Sequence, residues 1–158
     1  MTVTRLAEDD IPATWEAASL LLDEYRQHYG ANPAPEAAAT WLREQIDAAR
    51  ARVYLAVSAD RRPTGEDGTV DGICTVTVVP AALTLRSAWL VRDLYVRPAA
   101  RRRGVARSLL EAVVDDAAAN GAHRLSLQTE SDNARALELY SRIGFEPLPG
   151  VTVMDNIL

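Results

Sequence analysis

The strongest chemical signal in the chain is Arg101-Arg102-Arg103-Gly104-Val105-Ala106-Arg107. This stretch follows an apolar run at residues 89–96 and Pro98. It opens a periodic segment with Val105, Leu109, Leu110, Val113 and Val114. That order predicts strand, tight turn, helix. The first N–H groups of a helix have no intrahelical partner, and the helix dipole places partial positive charge there. Gly104 would let a diphosphate approach the main chain, while the arginines add mobile cations. The turn reads as an anion site. Arginine runs and single glycines before helices also occur as plain solvated surface.

A second element lies downstream, Asn133-Ala134-Arg135-Ala136-Leu137-Glu138-Leu139-Tyr140-Ser141-Arg142-Ile143-Gly144-Phe145. Asn133, Ala136 or Leu137, and Tyr140 fall on one helical face, because steps of three and four return to the same side. Gly144 sits where a helix C-terminus favours positive φ. Spacing alone would suit Tyr140 as a core residue of an amphipathic helix.

These elements need a scaffold, and 158 residues supply one domain, residues 1–158, with room for a real core. No apolar run approaches a membrane span, and residues 1–10 lack a signal-peptide core, so a cytoplasmic protein without membrane contact is expected. The one cysteine, Cys74, excludes an internal disulfide. No Cys/His cluster has ligand spacing, so no metal is expected. The net charge of −5 argues against non-specific nucleic-acid binding. All 17 Lys-plus-Arg residues are arginine. Schiff-base lysine chemistry and a P-loop lysine are therefore excluded, and nucleotide hydrolysis is a poor reading without Gly-x-x-x-x-Gly-Lys-Ser/Thr.

The expected element order is β, α, α, β, β, β, α, β, α, β, β. Residues 3–6 form a short strand. Asp9-Asp10-Ile11-Pro12 is a helix start with an acidic cap and Pro in the first turn. Ile11, Trp15, Ala18, Leu22 and Tyr25 give the first helical stripe. Ala38, Trp41, Leu42, Gln45, Ile46 and Ala49 give the second, after the break at residues 30–35. Strands follow at 52–58, 70–79 and 88–96, with a polar turn at 60–68 and a link at 81–87. A helix at 105–120, capped by Gly121, leads to a strand at 125–129. The helix at 133–143 precedes strands at 145–146 and 151–158. Three successive strands suggest an antiparallel meander, and strand–helix–strand through 89–129 suggests one parallel crossover.

Arg101-x-x-Gly104-x-Ala106 resembles the acyl-CoA pyrophosphate loop of the GNAT superfamily of acetyl-CoA-dependent N-acetyltransferases. The flanks Asp93-Leu94-Tyr95-Val96-x-Pro98 and Leu109-Leu110 fit as well. Asn133-x-x-Ala136-x-x-Leu139-Tyr140-x-x-x-Gly144-Phe145 is similar to that family's second cofactor element. The resemblance implies an α/β (α+β) fold. Its sheet would be mixed, mostly antiparallel and twisted, with six to seven strands and four helices, splayed at the central parallel pair. It also implies roles. The strand at Leu94, Tyr95 and Val96 holds the pantetheine arm through its main chain. Arg101, Arg102, Arg103, Gly104, Val105, Ala106 and Arg107 take the pyrophosphate. Asn133 and Ala136 contact the arm. Tyr140 gives a proton to the leaving sulfur. Arg102 stands where glycine is frequent, and Arg92 stands where some members carry a catalytic carboxylate.

Acetyl transfer from acetyl-CoA to a primary amine in a ternary complex is the function implied. The alternative is a non-catalytic acyl-CoA sensor or regulatory module. At pH 7 an alkyl amine is neutral in only about one molecule in a few thousand, a cost of about 4–5 kcal/mol. Asp93 and Glu130 are the candidate bases, although a solvated or helix-capping carboxylate is the commoner role for each. His28 and His123 titrate in range. His123 reads as a turn residue, and Cys74 as a buried thiol. Tyr25 and Tyr29 are the acceptor-side candidates, near Leu21, Leu22 and Trp41, with Asp23 and Glu24 available to attract a cationic amine. The C-terminal strands offer edges for a homodimer.

Overall fold

A computed structural model describes residues 1–58 and 70–158. The polar turn expected at 60–68 lies outside the described residues. The chain divides into two compact units, Met1–Gln128 and Thr129–Leu158.

The first unit holds a five-stranded sheet in the order β1-β2-β3-β4-β5. Its strands are β1 (Thr2–Arg5), β2 (Ala51–Val57), β3 (Val70–Ala81), β4 (Arg86–Val96) and β5 (Arg124–Ser126). The first three pairings are antiparallel. The β4–β5 pairing is parallel and spans only Ala88↔Arg124, Trp89↔Leu125 and Leu90↔Ser126. The expected meander and single parallel crossover are both present. The expected six to seven strands are not: among the described residues five form. The parallel pair consequently lies at the end of the sheet rather than its centre.

Helices α1 (Pro12–His28) and α2 (Pro35–Asp47) cover one face, and α3 (Val105–Ala119) covers the other. The alternation of strand side chains sorts the core into two layers. Leu55, Ile73 and Tyr95 pack with Trp15, Leu21, Leu22 and Leu42 under the first two helices. On the opposite side α3 buries Val105, Leu109, Leu110 and Val113. Gly72 makes that contact close, since a Cβ there would meet Val105 Cγ1 at 2.9 Å and the Tyr95 carbonyl at 3.0 Å.

Proline opens α1 as expected, but the acidic cap does not form. Ile11 is the N-cap, and Asp10 instead accepts the Ala7 N–H at 2.8 Å. The turn between α1 and α2 is tied by Asp23, a buried carboxylate. It accepts from Arg26 at 2.5 Å, Gln27 at 3.0 Å and the Ala34 N–H at 3.1 Å.

In the second unit α4 (Ala134–Ile143) starts at an Asn133 cap, whose Oδ1 accepts the Ala136 N–H at 3.2 Å. The helix ends at Gly144 with φ of 100°, the left-handed residue anticipated there. The expected strands at 145–146 and 151–158 do not form among the described residues. Pro147 and Pro149 offer no N–H to a ladder, and Gly150 at φ of 77° turns the chain between the two segments. The β edges proposed for dimerisation are thus absent.

Candidate active site

The site begins with a fault in the sheet. Val76 pairs with Val91 and Thr75 pairs with Asp93, so Arg92 is an extra residue on β4. This β-bulge moves the side-chain alternation by one position. Val91 stays buried, while Asp93 shares the α1 face with Thr75 and Tyr95. Past Leu90 the ladder to β5 ends, so residues 91–96 pair with β3 alone. Leu94, Tyr95 and Val96 occupy this parted stretch. The Tyr95 side chain is buried under α1, which leaves only its main chain for a ligand.

Beyond Val96 the chain makes a 3₁₀ turn at Pro98–Ala100 and enters the arginine loop. Gly104 is the N-cap of α3 with φ of 81°, and no side chain caps the helix. The first turn of α3 carries no acidic residue. A Cβ on Gly104 would meet nothing within 4 Å, so its need for glycine is conformational. Arg102 also adopts a left-handed φ of 63°. That explains the preference for glycine at its position in the resembling loops.

The loop arginines divide by what they touch. Arg101 Nε donates to the Val96 carbonyl at 3.0 Å, folding the loop back onto the strand end. Arg107 pairs with Glu111 one turn along the helix at 2.7 Å. Val105 is buried as the first core residue of α3. Arg102 and Arg103 are exposed, with no side-chain bond or ion pair within the described residues. They are the mobile cations of this turn.

On the α1 side the Tyr25 hydroxyl donates to Asp93 Oδ1 at 2.7 Å, and the Thr75 hydroxyl donates to Asp93 Oδ2. Each carboxylate oxygen keeps one lone pair. Burial first, and then the bond to Asp93 and its charge, push the Tyr25 phenol well above its usual pKa. Tyr29, with 71% of its surface exposed, stands edge-on to Tyr25 at 5.1 Å between ring centres. His28 lies 5.7 Å from the Tyr95 ring and completes an aromatic wall. Trp41 is exposed on α2.

Two acids expected to draw a cationic amine are already committed. Asp23 ties the α1–α2 turn, and Glu24 takes a two-point bond from Arg97, at 2.8 and 2.7 Å. Arg97 was not singled out from the sequence, and only a spatial neighbour could have marked it. Cys74 is buried, and burial with the nearby Asp93 charge pushes its thiol up to about 12. It is inert as a nucleophile at neutral pH. His123 lies in the turn before β5, where its N–H donates to the Ser87 carbonyl at 2.8 Å.

In the second unit Tyr140 lies on α4 with its ring 6.1 Å from Phe145. Asn133 spends its side-chain oxygen on the helix cap. Ala136 supplies the capped N–H. Glu130 is near Thr129, whose hydroxyl approaches its carboxylate at 3.4 Å. Among the described residues no group of His, Cys, Asp and Glu could hold a metal ion, and no helix is long and apolar enough to cross a membrane.

A strand that parts from its neighbour and runs into an uncapped, arginine-lined helix mouth is the arrangement of an acyltransferase. The chain belongs to the acetyltransferase (GNAT) family, whose pattern it matches over residues 15–145. It is 29% identical over 135 residues to the uncharacterized N-acetyltransferase YhfO of Bacillus subtilis, covering 84% of this chain and 85% of that protein. It is 27% identical over 144 residues to the [ribosomal protein bS18]-alanine N-acetyltransferase of Salmonella typhimurium, covering 91% and 80%. A crystal structure of a probable acetyltransferase superposes with a TM-score of 0.86 at 25% identity, covering 100% of this chain and 98% of the other.

Proposed function

We propose that this acyltransferase moves an acetyl group from acetyl-CoA to a primary amine by direct attack in a ternary complex. The observation that carries the reading is the left-handed Gly104 at the uncapped mouth of α3, next to the parted stretch of β4. The exposed N–H groups of α3 and the uncommitted Arg102 and Arg103 suit a diphosphate. The unpaired side of residues 94–96 suits an extended amide arm. A main-chain N–H there, aimed at the thioester carbonyl, would be worth about 3 kcal/mol as an oxyanion donor.

In this reading the amine lone pair attacks the carbonyl carbon and the C–S bond breaks. The amine proton passes to a base, directly or through water. Asp93 is the base supported by placement, because it lies on the parted strand with lone pairs to spare. Glu130 is the second candidate, supported by residue type and the order of the motifs. The phenol of Tyr140 supplies the proton to the departing thiolate, the role its motif gives it. Tyr25 and Tyr29 form the acceptor wall.

The test is calorimetric titration with CoA, followed by thiol release from acetyl-CoA against a panel of amines. Binding with thiol release is expected. A Tyr140→Phe variant should keep CoA affinity and lose about 100-fold or more in kcat. CoA binding without thiol release from any amine would favour the sensor reading. Absence of binding would overturn both.

A further inference from the structure

The charge inventory around the bulge of β4 is unbalanced. Asp23 and Glu24, the acids of α1 on this side, are held by Arg26 and Arg97. The Asp93 carboxylate accepts two hydroxyls. Arg92, the bulged residue itself, is exposed, and its side chain has no ion pair or hydrogen bond among the described residues. A bulge re-aims the side chain it carries and is a common device beside active sites. Here it leaves a guanidinium uncommitted at the point where β4 parts from β5.

We propose that Arg92 recognises a carboxylate on the acceptor, and that the acceptor is an amine of the amino-acid class with its acid group close to the reacting nitrogen. The inference rests on the acetyl-transfer reading and narrows its substrate.

Three features support it. Arginine presents a planar fork that matches a carboxylate by two parallel bonds, unlike a point charge. Arg92 and Asp93 are consecutive residues of opposite charge, so the pair is complementary to a molecule bearing an ammonium and a carboxylate a few bonds apart. The α1 side of Asp93 carries the aromatic rings of Tyr25, Tyr29 and His28, which suits the body of such a molecule. The Arg92 charge also reaches the Tyr25 hydroxyl, which it draws toward ionisation against the stronger opposing effects of burial and Asp93. A polycation would fare badly here, because it would meet a free arginine while Asp23 and Glu24 are already paired.

The experiment compares matched probes on CoA-saturated protein by calorimetry: alanine against ethylamine, and phenylalanine against phenethylamine. Spermidine and a tripeptide serve as the other acceptor classes. In at least one pair the amino acid should bind about tenfold tighter than the amine, as a charge-assisted bond implies. Arg92→Ala should erase that difference, and Arg92→Lys should keep part of it. Preference for spermidine or the tripeptide, no preference within either pair, or a preference that survives Arg92→Ala would each overturn the proposal. CoA affinity, measured separately, distinguishes the two levels. Intact CoA binding with indifferent acceptor pairs removes only the carboxylate, whereas loss of CoA binding removes the acetyl-transfer reading beneath it.

Discussion

The Tyr25 hydroxyl donates to Asp93 Oδ1 at 2.7 Å, joining residues 68 positions apart and fastening α1 to the bulged strand. Burial, then Asp93, raise the phenol's pKa well above its usual value of 10.0. The neutral phenol is therefore favoured in the folded state. The contribution of this bond is whole below pH 10 and fades as pH climbs further. Tyr25→Phe should cost about 1.5–3 kcal/mol at pH 7, the range for a bond to a charged acceptor. The stability gap between wild type and variant, measured by urea unfolding, should hold steady from pH 6 to about 9 and close above about 10. A gap that widened in alkali would contradict the bond's direction.

A second carboxylate works at the other face of the sheet. Asp116 on α3 accepts from Tyr54 at 2.5 Å and Arg52 at 2.9 Å, with Asn120 on its other oxygen at 2.8 Å. Burial opposes its ionisation, but the bonds from Tyr54 and Arg52 and the charges of Arg52 and Arg5 prevail, and its pKa is lowered from 3.8. A lowered carboxyl stabilises the fold above its unfolded pKa and loses that contribution as pH falls through the folded value. Asp116→Asn should cost about 2 kcal/mol at neutral pH. The difference from wild type should shrink once pH drops below 3.8. Thermal melts from pH 2.5 to 7 read both.

The arginine loop separates backbone strain from ligand chemistry. Arg102 and Gly104 both sit at positive φ, but only one is glycine. Gly104→Ala should destabilise the fold by about 1 kcal/mol through strain alone, because its Cβ meets no neighbour. Its loss of CoA affinity should be larger than that strain would suggest, about tenfold, because the proposed function brings the phosphates to where the methyl group would stand. Arg102→Gly should behave oppositely. Relief of left-handed strain and added chain entropy are each about 1 kcal/mol and nearly offset. Its melting temperature should barely move while CoA binding weakens. Melting curves beside calorimetry separate the two effects, and equal loss of binding and stability at Gly104 would argue against a ligand there.

What the sequence made legible follows from what is local. Gly104 and Gly144 open and end helices by backbone rules that need no partner; Gly144 occupies the left-handed region anticipated for a cap, and Gly104, anticipated as a turn residue, occupies it as well. The strand meander was visible because alternation is local as well. The commitments of Glu24 and Asp93 were not, since their partners lie 73 and 68 residues away. Arg26 and Gln27, by contrast, stand three and four residues after Asp23, so that cluster could have been read from helical spacing. The terminal strands failed for the converse reason. Val151 and Val153 alternate as a strand would, yet a ladder needs a partner edge that alternation cannot supply.

The pair Arg97–Glu24 offers a test of how α1 is held over the strand end. The guanidinium meets both carboxylate oxygens of Glu24, and the Arg97 main-chain N–H donates to the Asp71 carbonyl at 3.0 Å. The bond to Glu24 raises the pKa of Arg97 despite burial, so the pair persists across the working pH range. Glu24 is 39% exposed at its side chain, and solvent screening keeps the expected coupling modest, about 1 kcal/mol. A double-mutant cycle of Arg97→Ala and Glu24→Ala should return that coupling, because each single variant removes the same interaction. Arg97→Lys should recover only part of it, since an ammonium cannot reproduce the fork. Because α1 carries Tyr25 and Tyr29, loosening it should raise the acceptor KM. CoA affinity, which the proposed function assigns to the loop beyond Val96, should stay level. If instead CoA affinity fell with the pair broken while the acceptor KM held, Arg97 would serve the loop rather than the helix.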